Sequence, residues 1–169
     1  MDDLIYCQRS IPKEQWRYGL RSSAATGCGW IATYNALRLM GCEAQPEKLI
    51  RYFQRQVPLL QGNAGTLALA PAWYFRAHGF QAEHTSCYSR FDELAKQSDV
   101  CVLFYYWRNK WKFGAHFVAA QYRDGKFYGY NTYRNSTGPD PYGPSLENFL
   151  KEKKYFGAVL TGIRNNNSK

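Results

Sequence analysis

This chain of 169 residues has no run of about 18 apolar residues, the length a membrane-spanning helix needs. Its first residues lack the marks of a secretion signal. Met1-Asp2-Asp3 is acidic where a signal is basic, and no long apolar stretch follows. The expected location is cytoplasmic. Cysteines are few and odd in number: Cys7, Cys28, Cys42, Cys87 and Cys101. No two have the spacing of a metal knuckle, which argues against a disulfide scaffold and a zinc ribbon alike. They read as reduced thiols, several buried as small apolar groups. Only three histidines occur, and no metal or cofactor site is expected from them. Acidic residues are scarce too, 13 against 22 basic ones, for a net charge of +9. The cations are spread along the chain, which reads as a basic surface in water. Their densest stretch, Arg108-Asn109-Lys110-Trp111-Lys112, alternates with aromatics but fits a loop between strands, so nucleic acid is not the expected partner. No internal repeat or linker divides the chain, and residues 1–169 are expected to form one domain.

What the chain does have is apolar mass. Aromatic residues make up 17% of it, which suits a packed core and not a disordered segment. After an irregular arm over residues 1–25, Trp30, Ile31, Tyr34, Leu37 and Met40 recur at helical spacing over 28–40, and Gly41 stops that helix. A second helix starts near Pro46, and Pro58 to Gly65 reads as a loop. Thr66 is the expected cap of a third helix ending at Gly79. A short strand near 80–84 and a helix over 90–97, capped by Ser89, follow. The second half changes character. Val100–Trp107 is an apolar, β-forming run, hence a central strand. His116–Tyr122 and Lys126–Asn131 flank Asp124-Gly125, a strong hairpin turn. Residues 135–144 form a Gly/Pro-rich loop, Ser145 caps a short helix to Leu150, and Gly157–Ile163 is the last strand. Helices first and an antiparallel sheet second define an α+β fold.

The candidate chemistry lies in Gly27-Cys28-Gly29 and Ala115-His116-Phe117. A cysteine at the start of a helix faces unsatisfied N–H groups and the positive end of the macrodipole, and both favour thiolate. Flanking glycines give a substrate room to approach. His116 begins one strand of the hairpin and Asn131 ends the other. Their distances from the turn differ by about two residues, so a diagonal or bulged pairing would bring them together. Cys28, His116 and Asn131 would then act as nucleophile, base and orienting group. Trp107, Trp111, Tyr133 and Tyr142, with the loops Gly62–Gly65 and Gly138–Gly143, suit either a cleft for apolar side chains or ordinary packing.

Gly27-Cys28-Gly29-Trp30-Ile31-Ala32, Ala115-His116-Phe117-Val118, the Asp124-Gly125 hairpin and its closing Asn131 together resemble the papain-like cysteine peptidases, in particular the C39-like branch that includes the bacteriocin-leader peptidases. The resemblance spans about residues 15–163. It implies a papain-like fold, with N-terminal helices and a helix-end nucleophile packed on a C-terminal antiparallel sheet. It also implies a thiol hydrolase acting on a peptide or protein through an acyl-enzyme, without cofactor or metal. The same triad would also serve an acyltransferase of the transglutaminase kind, and a spent site would leave a peptide-binding domain. The sequence departs from the branch in having Asn131-Thr132 where Asp-Pro is usual. It also has Ser22 where the family's oxyanion glutamine stands, so Gln15, Ser22, Ser23 or backbone amides would fill that role.

Overall fold

The computed structural model describes residues 4–56, 65–109 and 112–166. Six strands form one antiparallel sheet: β3 (Gln81–Thr85), β4 (Val100–Asn109), β5 (Lys112–Arg123), β6 (Lys126–Tyr130), β7 (Asp140–Gly143) and β8 (Gly157–Arg164). Their spatial order is β3-β8-β4-β5-β6-β7. A small ribbon, β1 (Arg17–Tyr18) and β2 (Arg21–Ser22), lies apart in the N-terminal region.

The strand period of two divides β4 and β5 between two cores. Val102, Phe117 and Ala119 join Trp30, Ile31, Leu49, Phe53 and Phe75 on one side. That side is covered by α2 (Cys28–Leu39), α3 (Pro46–Gln56) and α4 (Ala70–Ala77). Leu103, Tyr105, Val118 and Ala120 join Phe91, Leu94, Phe149 and Leu150 on the other. These come from the short helices α5 (Phe91–Lys96) and α6 (Leu146–Glu152). The central helix α2 is buried from Gly29 to Leu37, including its polar Thr33 and Asn35. Thr33 bonds back to the Gly29 carbonyl, and Asn35 exchanges two hydrogen bonds with the backbone of Ile5. The N-terminal arm is thereby sewn onto the helix that carries Cys28.

Several sequence expectations move. The third helix begins at Ala70, with Pro71 in its first turn, where a missing N–H costs nothing. Thr66 lies four residues earlier, and its hydroxyl meets that of buried Tyr18 at 2.9 Å. The helix expected at 90–97 begins at Phe91, and Ser89 sits in the 3₁₀ turn before it, against the Cys87 sulfur. Ser145 does cap α6, accepting the Asn148 amide. Strand β7 lies inside the expected loop. Pro141 hides it from a propensity reading, yet an edge strand accommodates proline. Tyr142 on that strand is buried against Phe149, in the core and not in a cleft. Pro58–Ala64 and Trp111 lie outside the described residues.

Candidate active site

Cys28 begins α2 after a break in the helical path. The single turn α1 (Ser23–Thr26) ends at Gly27, whose backbone both closes α1 and starts α2. A Cβ on Gly27 would lie 2.6 Å from both the Ser23 carbonyl and the Trp30 indole nitrogen. A Cβ on Gly29 would collide with the Thr66 side chain. Both glycines are thus required for space.

The half-buried Cys28 sulfur receives backbone amides from Phe117, Gly29 and its own residue. Two of these are free donors of the first turn of α2, as helix termini provide. The third belongs to β5, at the residue beside His116. Burial opposes the amides and outweighs them, so the thiol is pushed above its ordinary value. That direction favours the thiol, against the thiolate that the helix end alone leads one to expect.

Strand alternation puts the His116 ring on the face of Tyr105, its cross-strand partner, edge-on at 5.9 Å. Cys28 comes from the α2 face. Its sulfur lies by the Phe117 amide, one residue along β5 from His116, and β6 stops pairing with β5 at Ala119–Tyr130. Asn131 turns the chain away there with a φ of 67°. Its backbone carbonyl lies 2.6 Å from His116 Nε2. A carbonyl has no proton to give, so Nε2 carries the hydrogen and Nδ1 keeps its lone pair. Burial lowers the imidazole pKa more than this bond raises it.

The Asn131 side chain does something else. It is 1% exposed, accepts the Gln8 amide at 2.7 Å and donates to the Gln8 side-chain oxygen at 3.3 Å. Gln8 in turn donates to the Ala24 carbonyl on α1. Gln8 therefore clasps the His116 support to the turn before Cys28. Nothing local in the sequence marks it, since it lies 123 residues from Asn131. Gln15 is exposed in the turn after Pro12, and Ser22 is half-buried at the start of α1 without a side-chain cap bond. Neither side chain hydrogen-bonds among the described residues.

A cavity of about 680 Å³ opens on the imidazole side. Its wall includes His116, Asn131, Gln8, Trp107 and Tyr133, and a second thiol, Cys7, but not Cys28. The Cys7 sulfur donates to the Arg134 carbonyl at 3.0 Å. No group of three or more His, Cys, Asp or Glu side chains able to hold a metal occurs among the described residues. No helix among them is long and apolar enough to cross a membrane.

No protein-family model matches the chain, and no curated protein does. Among solved structures it is similar to the crystal structure of the Pseudomonas avirulence protein AvrPphB. The two are 13% identical, and the match covers 83% of this chain and 92% of that one, with a TM-score of 0.33. Likeness at that level carries no argument about the site, which stands on its own geometry.

Two predictions follow from the support of the imidazole. The folded state holds His116 with a lowered pKa, so below about pH 6.5 the unfolded chain takes up a proton that the folded one refuses. The stability this ring contributes is present above that pH and is lost as the pH falls. Urea midpoints between pH 8 and 5 should decline for the native protein and decline less for His116→Gln. Substitution of Asn131 separates strain from bonding. Asn131→Ala loses both bonds to Gln8 and places a Cβ in the left-handed region. Asn131→Gly loses only the bonds. The alanine variant should be the less stable by about 1 kcal/mol in the same urea titration.

Proposed function

We propose that the chain is a thiol hydrolase of papain-like fold, a cysteine peptidase similar to the C39-like branch. One observation carries the reading. The Cys28 sulfur rests on the amide of Phe117, the neighbour of a histidine whose Nε2–H is committed to a carbonyl and whose Nδ1 is left as a base.

In this mechanism His116 Nδ1 takes the thiol proton as the sulfur attacks the substrate carbonyl. The resting groups are both neutral, so charge separates only when substrate is present. The Cys28 and Gly29 amides, fixed by the helix, stabilise the oxyanion without Gln15 or Ser22. His116 then gives its proton to the leaving amine, and the thioester forms. Water, deprotonated by the same nitrogen, releases the acid and restores the thiol. The Asn131 carbonyl orients the ring and stabilises the imidazolium, the task that a side chain performs in the usual triad.

The test is exposure of a peptide library to the protein, with new termini read by mass spectrometry. New termini that vanish in Cys28→Ala support the reading, and no new termini from the native protein would refute it. An added amine that appears on the new carboxyl ends would mark acyl transfer instead.

A further inference from the structure

The cavity beside His116 is surrounded by cations. Arg9 lies in the 3₁₀ turn of the arm, Arg108 is the last residue but one of β4, Arg134 lies in the loop after β6, and Lys153 and Lys154 follow α6. Among the described residues no aspartate or glutamate lines it. None of the five has an ion-pair partner among the described residues, although salt bridges form elsewhere, as between Arg90 and Glu83. Like charges gathered without counter-charge repel one another, so their convergence from four separate segments has a cost that an anionic ligand would relieve. The backbone reinforces this. Lys154 has a φ of 54° at the position past the end of α6 where glycine is the usual residue. That turn closes the helix, with the Tyr155 amide donating to the Leu150 carbonyl, and it sets Lys153 and Lys154 side by side on the cavity wall. The Lys153 ammonium sits over the Tyr133 ring at 5.5 Å and near the Phe149 ring at 6.0 Å, so its charge is held beside the aromatic wall and, among the described residues, is not neutralised by an acid.

We propose that this cavity selects acidic peptides, seating aspartate or glutamate side chains next to the bond presented to Cys28. The inference rests on the proposed peptidase reading for its link to cleavage, but the binding itself does not need turnover. A single concave chamber ending at an imidazole suits a few residues of peptide better than the long groove that tracks a nucleic-acid strand.

The experiment uses the full-length Cys28→Ala protein and fluorescence anisotropy. The probes are fluorescein-labelled octapeptides that alternate Glu with Ala or Gln with Ala, and labelled octathymidylate. The Glu peptide should bind at least about tenfold more tightly than the Gln peptide, with affinity falling as salt rises. Lys153→Glu and Arg134→Glu should each weaken it severalfold. Lys126→Glu, the same charge change on the β5–β6 hairpin away from the cavity, should weaken it much less. Equal binding of Glu and Gln peptides would overturn the proposal, as would equal loss in Lys126→Glu or binding of the oligonucleotide alone. Termini from the native protein's library digest distinguish the two readings. Cleavage with no acidic preference would leave the peptidase standing and remove this inference. Acid-selective binding with no cleavage would do the reverse.

Discussion

Cys28→Ala is expected to abolish library cleavage, with a fall in turnover of about 10⁶-fold, the scale set when a covalent nucleophile is removed. His116→Ala should cost at least about 10²–10⁴, the share of a positioned acid–base group. The thiol's surroundings sharpen the test. Because burial raises the Cys28 pKa, iodoacetamide should label it slowly at pH 7 and faster only as the solution becomes strongly alkaline. Exposed Cys87, its pKa lowered by the Ser89 hydroxyl, should label first. Cys101, buried and pushed up to about 12, should stay unlabelled while the protein is folded. A fast plateau for Cys28 near pH 6 would mean a preformed thiolate–imidazolium pair, and the neutral resting site described above would be wrong. Labelling of Cys7 coupled to loss of turnover, with Cys28 untouched, would move the nucleophile to the other thiol of the site.

Gly129→Ala should be the most destabilising small substitution in the sheet. The residue pairs with Ala120 on one side and Asp140 on the other. An added Cβ would collide with the Tyr142 ring and hydroxyl and lie 2.6 Å from Thr132 Oγ1. Tyr142 cannot swing aside. It stacks on Phe149 at 3.9 Å between centroids, and its hydroxyl meets Thr132 at 2.6 Å. Overpacking a rigid neighbour costs about 3 kcal/mol at the upper end of its usual range. Calorimetry should then show Tm lower by about 6–12 °C for a chain of this size. Thr132 follows Asn131, so displacement there should also disturb the carbonyl that holds His116. A fall in catalytic rate larger than the unfolded fraction explains would reveal that coupling.

The long elements were legible because their patterns are strong. Trp30, Ile31, Tyr34 and Leu37 spell a helix, and Val100–Trp107 spells a buried strand. The Asp124-Gly125 turn brought His116 and Asn131 to the same end of the hairpin, and the structure does join them there. It joins them through a backbone carbonyl, which no side-chain pattern encodes. Gln8 was out of reach for a different reason. Its role depends on a contact that spans most of the chain. Thr66 misled because a hydroxyl before a helical run looks like a cap, whereas its tertiary partner is Tyr18. The resting charge state of Cys28 was also hidden, since a helix end argues for thiolate and only the packed surroundings reverse the sign.

The clasp between Gln8 and Asn131 also sets a clock. Residue 8 leaves the ribosome well before residue 131, and at roughly 5–20 residues per second the gap is some 6–25 s. For much of that interval Cys28 is present without the strand that bears His116. Whatever reaction this protein performs, a half-made chain is not equipped to perform it on the polypeptides around it.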